Sequence, residues 1–218
     1  MNYKQLIRLP KDCKKFLNQF KQKQKSAELL KEVFDFLKVG GKLKIKYSLE
    51  TSNNFQKVKL PTEVWKTKSG HCYELSLFLL ACLKYLNFKA YYCEMPNFKY
   101  GDHACVLVKM NRKNIFLDPS RKIFNAKYKN YQILNEKELV GNYYINCAFM
   151  FYPWEWTKKK LTIKEKIKLS KKSIRYAKLG LKYYSNSKRG REIINRNLKF
   201  LSALGNNNFI NLIILSTI

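Results

Sequence analysis

Three residues of this 218-residue chain have the side chains and local settings of a thiol-based catalytic site: Cys72, His103 and Asp118. Cys72 opens an apolar run, 73–83, that has the length and composition of a buried helix. A thiol at a helix N-terminus lies near unpaired backbone N–H groups and the positive end of the helix dipole, which both favour the nucleophilic thiolate. His103 begins an apolar, strand-like segment, and Asp118 ends another. We therefore expect an imidazole base and a carboxylate that orients it at the ends of neighbouring strands.

The other cysteines and the second histidine fit structural positions. Of the six cysteines, four lie within apolar helix or strand patterns that are typical of buried thiols: Cys82, Cys93, Cys105 and Cys147. Cys72 differs, because Gly70 permits a tight turn into the helix. The chain has two histidines. His71 is adjacent to the thiol, and neighbouring side chains at a helix start point in different directions, so we expect His103 to be the base.

Four segments, in this order, resemble the core of the transglutaminase-like superfamily. They are Gly70-His71-Cys72-Tyr73-Glu74, Leu86-Asn87-Phe88-Lys89-Ala90, Asp102-His103-Ala104-Cys105-Val106 and Phe116-Leu117-Asp118-Pro119-Ser120. In that family, a Gly-x-Cys helix start precedes a strand entry, then a His before an apolar strand, then a closing Asp-Pro. The ordered combination makes the resemblance specific. The arylamine N-acetyltransferases share this core, and the stretch 69–75 is also similar to their nucleophile segment.

The resemblance implies an acyl-transfer mechanism. Cys72 would attack the acyl carbon of a carboxamide, ester or thioester, His103 would pair with the thiolate and then protonate the leaving group, and Asp118 would orient the imidazole. Water as the acceptor would give hydrolysis, and an amine would give acyl transfer. The backbone N–H of Cys72 is a natural oxyanion donor. A tryptophan plays this role in some transglutaminases, which makes Trp65 a candidate second donor, with plain packing as the alternative.

Three functions are compatible with these residues. The first is a thiol enzyme of transglutaminase-like type that acts on a peptide, an amide or another acyl donor. Hydrolysis is preferred to cross-linking, because 218 residues leave no room for the accessory domains of animal transglutaminases. The alternatives are an arylamine-type N-acetyltransferase and a nucleic-acid-binding module on the same fold. We expect no cofactor and no metal, since the chain has neither a close CxxC pair nor an acidic cluster with calcium-site spacing.

The order of elements favours an α+β fold in which the nucleophile helix packs on an antiparallel sheet. We expect a basic amphipathic helical N-terminal region at 1–40, a transglutaminase-like catalytic core at 41–156 and a basic helical C-terminal extension at 157–218. Within the core, the alternating stretch 42–47 predicts an edge strand, and the apolar stretch 143–151 predicts a further strand.

The loops expected to form the substrate pocket are 50–62, 96–102 and 120–140. Their sequences contain no motif that identifies the substrate. Near the C-terminus, the triple asparagine 206–208 is expected to break the chain. The apolar run 209–215 that follows it is expected to dock as a terminal element, with the start of a partner contact as the alternative if the run is left exposed.

Charge is the second unusual property of the chain. It has 44 Lys plus Arg against 15 Asp plus Glu, a formal net charge of +29. Such an excess attracts polyanions, so nucleic acid or another polyanion is a candidate partner of the basic helices. The alternative is a helical subdomain whose lysine face is simply solvated. No apolar stretch reaches the roughly 18 residues of a membrane span and no secretory signal is visible, so we expect a cytoplasmic protein.

Overall fold

The structure is a computed structural model, and it describes residues 1–49, 54–98, 101–153 and 160–204. The chain divides into two compact units. The first unit combines Met1–Glu50 with Lys59–Leu139, and the second unit combines Thr51–Val58 with Val140–Ile218. The three-part division expected from the sequence stays a prediction.

The first unit begins with short amphipathic helices. They are α1 (Tyr3–Leu6), α2 (Lys11–Lys21) and α3 (Ala27–Leu37). Both longer helices bury one apolar face, and the hydroxyl of Ser26 caps α3 by accepting from the backbone N–H of Leu29 at 3.2 Å. This matches the helical spacing of apolar residues in the N-terminal sequence.

The helix that begins at Cys72 follows two short elements. Helix α4 (Pro61–Thr67) starts with proline in its first turn, and strand β2 (Ser69–Gly70) leads into α5 (Cys72–Tyr85). The residues of α5 from Tyr73 to Leu83 are all buried. Because α5 is apolar around most of its circumference, it forms the centre of the core and does not lie on its surface.

An antiparallel five-stranded sheet packs beside α5. In chain order its strands are β3 (Ala90–Phe98), β4 (Gly101–Met110), β5 (Lys113–Asp118), β6 (Ile123–Phe124) and β7 (Gln132–Ile133). They lie in the spatial order β6-β5-β4-β3-β7. A two-residue turn at Asn111 and Arg112, both with positive φ, joins β4 to β5. The predicted α+β fold, with a helix on an antiparallel sheet, is confirmed.

The predicted edge strand over 42–47 is mostly wrong. Only Lys46–Tyr47 forms a strand, β1, and it pairs in parallel with β2 outside the main sheet. The residues before it form a turn in which Lys44 has a φ of 53°. A left-handed residue breaks the extended conformation that the alternation of lysine and apolar residues had suggested.

The predicted strand over 143–151 is also wrong, because this segment is the second half of helix α6 (Glu136–Phe151). Asn135 caps that helix: its side chain accepts from the N–H of Glu138 at 2.9 Å, and the Glu138 carboxylate accepts from the N–H of Asn135 at 2.9 Å. The segment is apolar on nearly every side, so its sequence shows no helical period.

The second unit contains α7 (Ile163–Tyr183) and α8 (Lys188–Ala203), as the helical spacing predicted. Helix α7 packs closely on α6: a methyl group added to Gly180 would lie 2.6 Å from Cγ1 of Ile145 and 2.8 Å from the carbonyl oxygen of Gly141. Within the described ranges, no helix combines the length and the apolar composition needed to cross a bilayer. The predictions for 206–208 and 209–215 lie outside the described residues.

Candidate active site

The chain turns sharply into the helix that carries Cys72. Helix α4 ends at Lys68, whose φ of 50° is left-handed, and the parallel pairing of β1 with β2 then places Tyr47 opposite Gly70. A methyl group on Gly70 would lie 3.0 Å from both Cβ and Oε2 of Glu74. A side chain at position 70 would crowd Glu74, so glycine suits this close approach, and Cys72 becomes the first residue of α5.

Strand pairing and one hydrogen bond position His103 and Asp118 relative to Cys72. Asp118 ends β5, and the register of β4 with β5 places it diagonally across from His103, on the same face of the sheet. His103 Nε2 and Asp118 Oδ2 are 2.6 Å apart. One turn after Cys72, the Ser76 hydroxyl donates to the carbonyl oxygen of Ala104 at 3.0 Å, which fixes α5 against the strand that carries His103.

Asp118 is fully buried and accepts hydrogen bonds at both carboxylate oxygens. The Tyr128 hydroxyl donates to Oδ2 at 2.5 Å, while the Ser120 hydroxyl and the N–H of Arg121 donate to Oδ1 at 2.8 and 3.0 Å. Burial raises the pKa of Asp118, but the hydrogen bond and charge of His103, with the Tyr128 and Arg121 hydrogen bonds, outweigh it and lower that pKa. The carboxylate therefore stays ionised beside the imidazole.

A free cysteine has a higher pKa than a free histidine, and in this site the order of the two pKa values is reversed. Burial raises the pKa of the Cys72 thiol, yet hydrogen bonds to His103 and His71 and their charges lower it to about 6. Burial lowers the pKa of His103, yet Asp118 and the thiolate raise it to about 9. Between these two values the stable form of the pair is thiolate and imidazolium.

His71 also reaches the thiol, which the sequence argument had excluded. Its side chain hydrogen-bonds to Cys72, and its backbone N–H donates to Glu74 Oε2 at 3.0 Å. Its Nε2 is buried 3.4 Å from Glu74 Oε1, with no hydrogen-bond partner of good geometry in the described part of the chain. Glu74 is fully buried and also accepts from the N–H of Lys59 at 2.8 Å. The adjacency of His71 to Cys72 was the one sequence signal that could have revealed this contact.

The structure does not bring Trp65 to the thiol as an oxyanion donor. Its indole N–H donates to the Asp12 carboxylate at 2.5 Å, and its ring packs at 5.8 Å from the ring of Phe16 and 6.4 Å from that of Phe78. This geometry favours the packing alternative, in which Trp65 holds α2 against α4.

Tyr47 is close to the site instead, and sequence reasoning missed it. Its partner in the β1–β2 pairing is Gly70, two residues before Cys72, and 48% of the side chain is exposed. Partial burial and the negative charges of Cys72, Asp118 and Glu74 raise the pKa of Tyr47 to about 12. The phenol is therefore neutral at physiological pH and has a hydrogen to donate.

The remaining five cysteines are buried, whereas Cys72 is partly exposed. Four of them form two close thiol pairs in the core: Cys13 with Cys82, and Cys93 with Cys105, which face each other on β3 and β4. Burial and the neighbouring Cys13 raise the pKa of Cys82, and the hydrogen bond from Cys93 and burial raise that of Cys105. Cys82 and Cys105 are therefore held as neutral, unreactive thiols.

Comparison with known families agrees with this geometry. A family described as "Transglutaminase-like domain" matches residues 11–146, well over half of the chain and the whole of the Cys-His-Asp constellation. The chain belongs to the transglutaminase-like family. The predicted resemblance is thereby confirmed, and membership supports a papain-like cysteine enzyme in general.

A search of solved structures gives a neighbour of low similarity. It is a protein from Cytophaga hutchinsonii named as a candidate cysteine protease, with a TM-score of 0.41 and 14% identity. The match covers 60% of this transglutaminase-like chain and 52% of the other protein, so the chain spans about half the length of that neighbour. The search of curated proteins found no match.

Proposed function

We propose that this transglutaminase-like chain is a cysteine-dependent enzyme that cleaves or transfers an acyl group through a thioacyl intermediate on Cys72. The observation that carries the proposal is the Cys72–His103–Asp118 constellation, in which His103 hydrogen-bonds to Cys72 and lies 2.6 Å from the buried Asp118 carboxylate. The lowered pKa of Cys72 and the raised pKa of His103 agree with this arrangement. Structural cysteines are normally neutral thiols, and a thiolate paired with an imidazolium is the form that nucleophilic catalysis requires.

The reaction proceeds in two halves. The Cys72 sulfur attacks the acyl carbon, the bond from carbon to the leaving nitrogen or oxygen breaks, and the imidazolium of His103 gives its proton to the leaving group. In the second half His103 takes a proton from water or an amine as that acceptor attacks. The carbon–sulfur bond then breaks, and the thiolate and imidazolium are restored. Asp118 keeps the imidazole oriented throughout.

Two groups are available for the developing oxyanion. The backbone N–H of Cys72 lies in the first turn of α5, where N–H groups have no acceptor within the helix. We propose the Tyr47 hydroxyl as the second donor, in place of Trp65, because its strand pairs beside the nucleophile and its phenol stays protonated. Tyr47→Phe should therefore lower kcat about 10- to 100-fold while leaving the alkylation of Cys72 unchanged.

The substrate class is a peptide or another amide, with thioester and ester acyl donors as chemically easier relatives. Water is the proposed acceptor. The main alternative is acetyl transfer from a thioester to an arylamine, which the same thiol chemistry would support. A purely structural, nucleic-acid-binding module is disfavoured, because such a module has no use for a thiolate at neutral pH.

The test is capture of the thioacyl intermediate. Wild type and Cys72→Ala are incubated with a p-nitrophenyl ester, an acetyl thioester and a peptide p-nitroanilide, with and without an arylamine or a primary amine. Mass spectrometry of the Cys72 peptide then detects the acyl adduct. We expect an adduct in wild type only, and a burst of leaving group equal to one per protein molecule. Unchanged unfolding of Cys72→Ala in urea controls for folding.

The acceptor distinguishes the reactions. Turnover without added amine supports hydrolysis, and turnover that needs an arylamine supports acetyl transfer. If no acyl donor of the three classes modifies Cys72, or if Cys72→Ala turns over as fast as wild type, the proposed function is wrong.

A further inference from the structure

The second unit carries an elongated surface of lysines and tyrosines that the acyl chemistry does not use. On α7, Lys168, Lys172, Tyr176 and Tyr183 recur at spacings that place them within about 80° of one another around the helix axis. Lys57 and Tyr144, from the other segments of the same unit, lie beside them. We call these six residues the lysine–tyrosine stripe. It runs for about 22 Å along the helix.

The aromatic rings of the lysine–tyrosine stripe form a continuous row. Tyr144 and Tyr183 are stacked, with ring centroids 6.1 Å apart and an interplanar angle of 26°. Tyr144 also lies 6.2 Å from Tyr176, whose ring packs at 5.2 Å against the buried ring of Phe151. All three tyrosines are half-buried, so each ring keeps part of its surface in solvent. Packing against each other holds the rings in place before any ligand arrives.

The lysines of the lysine–tyrosine stripe place positive charges close to these rings. Lys57 hydrogen-bonds to Tyr176 and lies 5.7 Å from its ring centroid, and Lys172 lies 3.8 Å from the centroid of Phe151. Burial and the charges of Lys57 and Lys168 lower the pKa of Lys172, so both of these ammonium groups lie close enough to Lys172 to repel its charge. All three lysines are exposed.

The carboxylates in the described part of this unit serve other purposes. Glu165 accepts from the N–H and the hydroxyl of Thr162 at the start of α7, and Glu192 lies 4.0 Å from Lys188 on α8. The two helices together have thirteen Lys and Arg and these two Glu. The positive charge of the lysine–tyrosine stripe therefore suits an anionic ligand from outside the chain.

We propose that the lysine–tyrosine stripe binds single-stranded nucleic acid. Ammonium groups suit phosphates, and the exposed faces and edges of fixed tyrosines suit unpaired bases, which stack on aromatic side chains regardless of sequence. A duplex hides the faces of its bases, and an acidic peptide has few rings to stack. On α7 the two lysines come first and the two tyrosines follow, and Lys57 and Tyr144 lie beside Tyr176. Ammonium groups and aromatic rings are therefore available to the phosphates and the bases of the same strand. This binding is independent of the proposed acyl chemistry.

The test is binding of fluorescein-labelled 15-nucleotide dT and U oligomers to the full chain, followed by fluorescence anisotropy at 50 and 200 mM salt. The triple variant Lys57→Ala, Lys168→Ala, Lys172→Ala should bind at least about 10-fold more weakly at 50 mM salt. It should also reduce the slope of log affinity against log salt by about 2, since each phosphate contact to a single strand contributes roughly 0.7. Tyr183→Leu should weaken binding about 5-fold or more.

Matched controls make the result specific to this surface. Lys11→Ala, Lys15→Ala, Lys66→Ala removes the same charge from exposed lysines of the first unit, and Tyr91→Leu removes a half-buried tyrosine there. Both controls should change affinity less than about 3-fold. Cys72→Ala should bind like wild type, which separates this proposal from the proposed function.

Three results would overturn the proposal. One is an equal loss of affinity in both lysine triples, which would indicate a response to net charge alone. Another is a heparin fragment of equal charge that binds as tightly as the oligomers and is indifferent to Tyr183→Leu. The third is binding to anionic phospholipid vesicles that the stripe variants abolish while oligomer binding persists.

Discussion

The thiol of Cys72 and the imidazole of His103 ionise in an order that sets the chemistry available at neutral pH. With pKa values of about 6 and about 9, both groups are charged in the window between them. Below this window the thiol is protonated and the nucleophile is lost. Above it the imidazole loses its proton and can no longer act as the acid that releases the leaving group.

We predict that the alkylation of Cys72 by iodoacetamide rises with pH around a midpoint near 6. His103→Ala should move this midpoint up toward that of an ordinary thiol, about 8.5, because the imidazolium that stabilises the thiolate is gone. Peptide mapping of samples quenched across the pH range measures the rate at each cysteine. Buried Cys147 is the internal control and should stay unlabelled. Uniform labelling of all six cysteines would contradict the prediction.

Asp118→Asn should shift the alkaline side of the activity profile. The carboxylate raises the pKa of His103 by its hydrogen bond and charge, so removing the charge lowers that pKa from about 9. The fall in kcat/KM at high pH should then begin at lower pH, and kcat/KM at the optimum should drop by about two to four orders of magnitude. Steady-state rates across pH 5–10 test this, and an unchanged alkaline limb would rule out Asp118 as the orienting group.

Among the secondary-structure elements, α5 and the strands β3 to β5 could be predicted from the sequence. Segments rich in apolar residues indicate them, and the residues for chemistry lie at the ends of α5 and β5 and near the start of β4. The errors arose where the pattern was ambiguous. The apolar run 143–151 has no period, so its sequence is compatible with either a helix or a strand. The helix-capping pair of Asn135 and Glu138 lies several residues before this run, so the run itself contains no signal for the start of a helix.

Two contacts beside Cys72 could not be predicted from the sequence. The pairing of β1 with β2, which brings Tyr47 beside the nucleophile, joins segments about 20 residues apart and depends on the left-handed Lys68. The contact of His71 with Cys72 depends on the extended backbone at the start of α5, with φ of −97° and ψ of −177° at His71. Neither conformation has a distinctive residue pattern.

Two buried serines on different helices should respond differently to substitution by alanine. Ser76→Ala removes the hydrogen bond between α5 and the carbonyl of Ala104, and should lower the free energy of unfolding by about 1–2 kcal/mol. The Ser170 hydroxyl on α7 has no hydrogen-bond partner among the described residues, so Ser170→Ala should be neutral or stabilising. Urea denaturation measures both, and equal losses would contradict the structure.

At the scale of the whole molecule, a net charge of +29 must oppose folding through self-repulsion. Several of the ion pairs that the structure describes, such as Lys23 with Glu32 and Lys188 with Glu192, are exposed and offset little of this repulsion. Added salt screens distant charges more than it weakens close contacts.

We therefore predict that the thermal midpoint rises as NaCl increases from 50 to 500 mM. Differential scanning fluorimetry provides the measurement, and a glycerol series controls for general stabilisation by cosolvent. A midpoint that stays constant or falls would show that local ion pairs dominate the electrostatic free energy.

The burial of α5 on all sides has a consequence for how the protein loses activity. Amide hydrogens of a fully enclosed helix exchange with solvent only when the whole core opens, whereas those of surface helices exchange through local fraying. The amides of α5 should thus be among the slowest to take up deuterium, with opening free energies equal to that of global unfolding. Mass spectrometry of exchanged peptides can measure this, and early exchange across 75–83 would contradict it. Cys72 is the first residue of this helix, so it belongs to the last part of the core to unfold. Mild denaturant should therefore leave the contact between Cys72 and His103 intact until the protein unfolds cooperatively.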